Sequence, residues 1–258
     1  MSEVKEKSLT PVKNTGVIQN DADAAMRMFV QTKQMMGTMV EYRELMMMYA
    51  CAMKQVRTKF EVLNTEFNVR YQRNPISAVN TRLKKTASII DKLNRRQKTF
   101  CVKDIEENLY DVAGVRVICS YIDDIYRIAE ALLRQDDVTL IRKKDYIADP
   151  KPNGYRSLHL IVKVPVYFAE TKRDMIVEVQ IRTIAMDFWA SLEHQLKYKQ
   201  EIPDQKAVIA QLRTCADVIS ETDENMLALR NRIEAMEDAA TPDEIMLEKL
   251  GKLDIAID

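Results

Sequence analysis

Two stretches of strict alternation constrain this chain more than any other feature. In Arg156-Ser-Leu-His-Leu-Ile-Val-Lys-Val164, Leu158, Leu160, Val162 and Val164 alternate with Ser157, His159, Ile161 and Lys163. In Val177-Glu-Val-Gln-Ile-Arg-Thr183, Val177, Val179 and Ile181 alternate with Glu178, Gln180 and Arg182. A period of two sends successive side chains to opposite faces, so both read as half-buried strands of one sheet. The first strand is entered from Asp149-Pro-Lys-Pro-Asn-Gly-Tyr155, where Pro150, Pro152, Asn153 and Gly154 leave only a loop. That loop brings Lys151, Tyr155, Arg156 and His159 to the mouth of a strand. The polar face formed by Glu178, Gln180 and Arg182 is then either a solvated sheet face or a site.

Composition narrows the chemistry such a face can perform. Only five glycines occur, and neither a GxGxxG fingerprint nor a GxxxxGK[ST] loop can be assembled from them, so a nucleotide here must be held by side chains. Two histidines, His159 and His194, without a His-Asp pair, argue against a histidine-rich metal hydrolase. Lys+Arg 39 against Asp+Glu 39 gives zero net charge, which disfavours wholesale binding to nucleic acid or to an anionic membrane. No long apolar run and no signal pattern at Met1-Ser-Glu-Val-Lys-Glu-Lys point to a cytoplasmic protein. Cys51, Cys101, Cys119 and Cys215 lack CxxC spacing and are read as reduced core residues.

Along the chain, residues 1–20 read as a disordered lead, residues 21–200 as the main domain with its N-terminal helices, and residues 201–258 as a helical packing or oligomerisation segment. A helical pattern from Asp21 to about Arg70, interrupted at Gly37, carries nine of the fifteen methionines, a stripe suited to packing or a subunit contact. After Asn74-Pro-Ile-Ser77, the pattern predicts a helix over 79–97. Its wheel puts Leu83, Ala87, Ile90 and Leu93 on one side and Arg82, Lys85, Ser88, Lys92, Arg95 and Arg96 on another, with Lys84 off that cluster. This basic side is a solvated face or a polyphosphate site. Asp111 introduces a strand from Gly114 that carries Arg116; it is a turn cap, or the oxygen ligand of a hard metal with a cation beside it. A helix over 123–134 and a charged edge strand over 138–147 follow.

Past the second central strand, Ile184 to Tyr198 reads as a helix with Phe188, Leu192 and Leu196 at i,i+4 spacing; Asp187 in its first turn is within reach of the Glu178 strand. Trp189 and His194 read as packing and a satisfied polar contact. Val208, Leu212, Cys215, Ile219, Thr222, Met226, Leu229, Ile233 and Met236 recur at spacings of four and three, a heptad seam. Such a seam packs on the N-terminal helix or on another subunit. Thr241-Pro-Asp-Glu244 caps a last short helix.

Four motifs in this order, Asp111-Val-Ala-Gly-Val-Arg116, Pro152-Asn-Gly-Tyr-Arg-Ser-Leu-His159, Glu178-Val-Gln-Ile-Arg-Thr183 and Phe188-Trp-Ala-Ser-Leu-Glu-His194, resemble the small alarmone synthetases. These are single-domain relatives of the RelA/SpoT synthetase domain, and the likeness covers roughly residues 82–199. It implies an α/β (α+β) fold: a mixed five-stranded sheet flanked by helices, nucleotidyltransferase-like, with long N- and C-terminal helices. It implies transfer of pyrophosphate from ATP to the ribose 3′-hydroxyl of GDP or GTP, with GMP a further candidate, releasing AMP and forming a (p)ppGpp alarmone. It also implies a homo-oligomer, with a tetramer the usual family state.

Carried over residue by residue, the resemblance implies that Arg82 and Arg116 flank the adenine and contact ATP phosphates. Ser88 and Lys92 would bind the transferring phosphates, and Lys84 and Lys85 would join the ATP-binding set. Asp111 would hold Mg²⁺; Glu178 would share the metal or take the proton from the 3′-hydroxyl. Tyr155 would stack on the guanine, Lys151 and His159 would meet the acceptor's phosphates, and Gln180, Arg156 and Asp187 would complete the acceptor side. In-line phosphoryl transfer is mainly positioning and charge neutralisation, which is what such a residue set supplies. Two features depart from the pattern. Asp187 stands where some relatives have Asn. Ala78 and Glu61 stand where product-activated tetramers carry an aromatic residue and lysines, so product activation there is not expected. A basic patch from Arg142, Lys143, Lys144 and Arg173 keeps transfer to a tRNA 3′ end in view. A silent nucleotide- or RNA-binding regulator is the alternative from another class, against which two carboxylates beside bound phosphates speak.

Overall fold

The structure, a computed structural model, describes residues 15–198 and 204–237. Contacts divide it into two units, Met1–Leu45 and Met46–Asp258. The first contributes the opening part of helix α1 (Thr15–Tyr71). The second holds the remainder of α1, then β1 (Ile76–Leu83), α2 (Thr86–Arg95), α3 (Val102–Asn108), β2 (Ala113–Cys119), α4 (Ile122–Leu133), β3 (Thr139–Asp145), β4 (Leu158–Tyr167), β5 (Lys172–Thr183), α5 (Ile184–Tyr198) and α6 (Gln205–Glu237).

The five strands form one mixed sheet in the order β1-β2-β5-β4-β3, with β2 and β5 parallel and the other neighbours antiparallel. Alternation sorts its two faces as the residue pattern demands. Val115, Val117, Val177, Val179, Ile181, Leu158, Leu160 and Val162 are buried on one face, and α4 packs on β2 and β5 through Ile125, Ile128 and Leu132. In the second unit α1 adds Tyr49, Val56 and Phe60 to the buried core. Each fully buried side chain of this kind contributes roughly 1.5–3 kcal/mol.

On the other face, the register aligns chemistry into two rows that cross all five strands. One row is Asn80–Arg116–Gln180–His159–Lys144; the next is Arg82–Gly114–Glu178–Ile161–Arg142. The second row has a gap where Gly114 lacks a side chain, between Arg82 and Glu178.

Several local expectations change. The helix expected over 79–97 is a strand followed by a shorter helix: Ile76–Leu83 pairs with β2, and only Thr86–Arg95 is helical. Val79 and Thr81 are β-branched, and a pairing partner far along the chain turns that weak preference into a ladder. Arg82 therefore sits on a strand, and α2 buries Ile89 and Leu93 while Ile90 is exposed. Helix α1 starts at Thr15, within the expected lead, and passes through Gly37 without a break. A lone glycine costs a helix only about 1 kcal/mol, too little to interrupt one this long. Cys215 is exposed, unlike buried Cys119 and half-buried Cys51 and Cys101, so the core reading fails for it. The last helix expected from Thr241 lies outside the described residues.

The apolar stripes of α5 and α6 also face outward. Ile184, Phe188, Leu192 and Leu196 on α5, and Met226, Leu229, Ile233 and Met236 on α6, are all exposed. Helix α6 packs on α5 and α4 through a different, partly polar face. Trp189 is buried as expected, its Nε1 donating to the Leu212 carbonyl at 3.0 Å.

Candidate functional site

A cavity of about 470 Å³ opens on the polar face of the sheet, lined by Asn80, Thr81, Arg82, Lys84, Asp111, Gly114, Val115, Arg116, Glu178 and Gln180. Strand β1 supplies Asn80 to Arg82, the entrance of β2 supplies Asp111, and β2 and β5 supply the floor. The missing side chain at Gly114 is what leaves room: a Cβ built there would stand 3.4 Å from the Arg82 carbonyl, so the backbone would accept one and the cavity would lose volume.

Asp111 is held by two lysines. Lys84 Nζ and Lys92 Nζ donate to its Oδ2 at 2.8 and 2.6 Å, and Oδ1 is buried without a partner. Burial pushes this carboxyl's pKa up, but the hydrogen bonds and charges of the two lysines outweigh it and hold it below its ordinary value. Lys92 reaches this point from the flank of α2, one residue before buried Leu93. Lys85 at the N-cap of α2 and Ser88 in its first turn are outside the cavity wall. Of the expected ATP-side residues, the structure thus brings Arg82, Lys84, Lys92 and Arg116 to Asp111 or its cavity.

Beyond Gln180 the same face continues into a chain of hydrogen bonds that a close His159–Glu178 contact completes into a ring. The Tyr155 hydroxyl meets His159 Nε2 at 2.8 Å, and His159 Nδ1 lies 3.5 Å from Glu178 Oε1. Gln180 Nε2 donates to Glu178 Oε2 at 3.1 Å, Arg182 Nη2 donates to Gln180 Oε1 at 2.8 Å, and Arg182 Nη2 also donates to the Tyr155 hydroxyl at 3.1 Å. Asp187 Oδ1 accepts from both Arg116 and Arg182 at 3.3 Å. Lys151 Nζ stands 4.7 Å from the ring centroids of both Tyr146 and Tyr155, a cationic tip over an aromatic pair. Burial raises the Tyr155 hydroxyl's pKa, the nearby Arg182 charge partly offsetting it, so the phenol remains a neutral donor and acceptor.

Arg182 is the residue that sequence reasoning left without a role. It is 2% exposed, and it bonds Tyr155, Gln180 and Asp187 at once. The signal was present in the outward phase of Arg182 on its strand; what the sequence lacked was the identity of its partners. Asn80 and Thr81 were missed because their segment was read as helix, and Tyr146 because its role comes from tertiary contacts with Tyr155, His159 and Lys151. Arg156, expected at the acceptor, turns the other way: it donates to the carbonyls of Gly154 and Ala216 and to Asp217, away from the cavity.

Among the described residues, four buried side-chain polar atoms have no hydrogen-bond partner, and three of them belong here: Asp111 Oδ1, Arg116 Nε and Arg182 Nε. Orphaned polar groups are costly and concentrate where a ligand completes them. An acceptor oxygen beside two ammonium groups suits a cation brought in with a polyphosphate, and an arginine Nε at the cavity wall suits a phosphate oxygen.

Comparison with known proteins agrees with this geometry. Residues 81–203 match the family model described as the region found in RelA / SpoT proteins. The chain is 39% identical over 196 residues to the GTP pyrophosphokinase YwaC of Bacillus subtilis, covering 76% of this chain and 93% of that one. It is 34% identical over 194 residues to the GTP pyrophosphokinase YjbM of the same organism, covering 75% and 90%. The crystal structure of the small alarmone synthetase 1 from Bacillus subtilis bound to its product pppGpp superposes with a TM-score of 0.68 at 34% identity, covering 75% of this chain and 98% of that one. With 34–39% identity over nine tenths or more of each Bacillus relative's length and a shared sheet fold, the chain belongs to the RelA/SpoT family, among its small alarmone synthetases.

Proposed function

We propose that the protein transfers the β,γ-pyrophosphoryl group of ATP to the ribose 3′-hydroxyl of GDP or GTP, with GMP a further acceptor to test, and releases AMP. The observation that carries this reading is the adjacency on one sheet face of a cation-lined cavity holding Asp111 and Glu178 and the aromatic ring system around Tyr155. ATP lies in the cavity, its phosphates met by Arg82, Lys84, Lys92 and Arg116. The guanine stacks at Tyr155, with Lys151 and His159 towards the acceptor's phosphates. The 3′-oxygen attacks the β-phosphorus, the bond to the α-phosphate oxygen breaks, and the proton of the hydroxyl passes to Glu178. Glu178 is suited to this because Gln180 donates to one of its oxygens and His159 stands 3.5 Å from the other.

Asp111 and Glu178 fit a magnesium site. Both line the cavity, and Asp111 presents a buried oxygen without a partner. Bound with the triphosphate, Mg²⁺ would neutralise charge on the transferring group, as such ions do with one or two carboxylates and substrate oxygens. The outward stripes of α5 and α6 support self-association, with a tetramer as the family's usual state. No described helix is long and apolar enough to cross a membrane.

Labelled ATP and Mg²⁺, incubated with the protein and, in turn, GMP, GDP, GTP and deacylated tRNA, test the assignment. Label on a guanine nucleotide is the expected result. Label on tRNA alone favours the longer acceptor, for which exposed Arg142, Lys143 and Lys144 on β3 would provide contacts. No transfer to any acceptor rejects the enzyme reading.

A further inference from the structure

The loop that carries Tyr155 is shaped from outside the site. Lys151 to Gly154 close a tight turn, with the Gly154 amide donating to the Lys151 carbonyl at 2.8 Å and the Lys151 amide to the Tyr155 carbonyl at 3.2 Å. Gly154 has φ +88° and lies directly on α6: a Cβ added there would fall 2.4 Å from the Ala216 Cβ and 3.3 Å from the Arg213 Cα. On the other side of Tyr155, Arg156 reaches the same helix. Its Nη1 donates to the Ala216 carbonyl at 3.1 Å and to the Gly154 carbonyl at 3.3 Å, and its Nη2 donates to Asp217 Oδ1 at 3.1 Å. The ring that stacks on the proposed acceptor is thus flanked by two residues that both bear on one turn of α6.

A second anchor lies at the end of β5. Thr183, next to Arg182, donates from Oγ1 to Asp223 Oδ2 at 2.6 Å and accepts from the Met186 amide at 3.0 Å. Both Thr183 and Asp223 are buried. One helix therefore holds the Tyr155 loop at Ala216 and Asp217, and the strand end beside Arg182 at Asp223. The donor-side groups are tied differently: Lys84 and Lys92 bond Asp111, and Arg82 pairs across β1 and β2 with Gly114.

We propose that α6 is the splint of the acceptor subsite, and that Arg156 is a positioning residue that sets acceptor affinity through Tyr155 without touching the nucleotide. This rests on the assignment of the acceptor to Tyr155. An arginine suits the position because its planar fork serves two carbonyls and a carboxylate at once; a lysine keeps the charge and loses the fork.

The test is steady-state kinetics on the full chain, varying GDP at saturating ATP and ATP at saturating GDP, with equilibrium ATP binding and a melting curve for each variant. Arg156→Lys is expected to raise the KM for GDP by about 10-fold while the Kd for ATP moves by less than about twofold, since misplacing one positioning group costs on that order. Ala216→Val, which pushes on Gly154 from α6 and leaves the loop's own residues intact, is expected to show the same split. Equal shifts for donor and acceptor, or an unchanged KM for GDP in both variants, would overturn the splint while leaving the pyrophosphotransferase assignment in place. A wild-type chain that transfers nothing to guanine nucleotides overturns that assignment, and the splint with it.

Discussion

Asp111 on the proposed donor side and Tyr155 on the proposed acceptor side are both held by cations, but the cations differ in kind. Lys84 and Lys92 are flexible, half-buried ammonium groups that a triphosphate can draw away from Asp111. Arg182 is buried and already divided among Tyr155, Gln180 and Asp187. One half is a set of charges that can be redistributed when substrate arrives; the other is a preorganised frame whose bonds are made in advance. In-line transfer needs both, because the donor brings its charge with it whereas the acceptor hydroxyl must be aimed.

Glu178 is the residue where the two halves meet, lining the donor cavity and accepting from Gln180 in the acceptor ring. Glu178→Gln is therefore expected to lower kcat by roughly 10³-fold, the scale of a lost general base, while ATP binding by calorimetry persists. Retained turnover would remove Glu178 from the chemistry and leave the halves unconnected.

Gly114→Val and Tyr155→Ala pull the halves apart. Filling the gap between Arg82 and Glu178 should weaken ATP binding by about 100-fold with the fold intact, the order expected when a side chain occupies space a ligand needs. Tyr155→Ala should raise the KM for the guanine nucleotide by about 10-fold, the loss of one stacked ring, and leave ATP binding alone. If each variant moved both substrates equally, the division into a mobile donor side and a fixed acceptor side would fail.

The smallest effect concerns the splint itself. Burial raises the Asp223 carboxyl's pKa, the Thr183 hydrogen bond partly opposing it. A group whose folded pKa is raised stabilises the fold fully below its unfolded value and loses that contribution as pH rises through the folded one. Asp223→Asn keeps an acceptor for Thr183 and has no charge to bury. Its melting temperature should gain a few degrees on the wild type as pH climbs from about 4, the ordinary carboxylate value, into the neutral range, and the two should converge below it. A constant difference across that range would mean that the carboxyl does not titrate differently on folding.

How much of this was legible depends on the range over which each determinant acts. The phase of β4 and β5 could be read directly, so His159 on one strand and Glu178 and Gln180 on the other were legible as polar-phase residues, and the register put them on one face. The loop at Asn153-Gly154 was equally plain. Strand β1 was not, because Val79 to Leu83 also fits a helical wheel, and pairing with β2 decided between them. The basic side built on that wheel dissolved, yet Arg82 still lines the cavity and Lys92, from a different element, bonds Asp111 in its wall. The seam of α6 was seen as apolar and periodic; that its exposed residues look away from α5 and α4 could not be known without the neighbours.

By itself, the sequence determined which residue types stand on each face of the central strands and that no glycine loop could cradle a phosphate, since a two-residue period and a residue count are local properties. Only the tertiary structure decided that Arg156 serves α6 and not the cavity, that Arg182 gathers three partners, and that Gly114 opens the floor. Those outcomes depend on which surface a side chain meets across long stretches of chain, and a long cation such as arginine can reach either of two surfaces from the same backbone position.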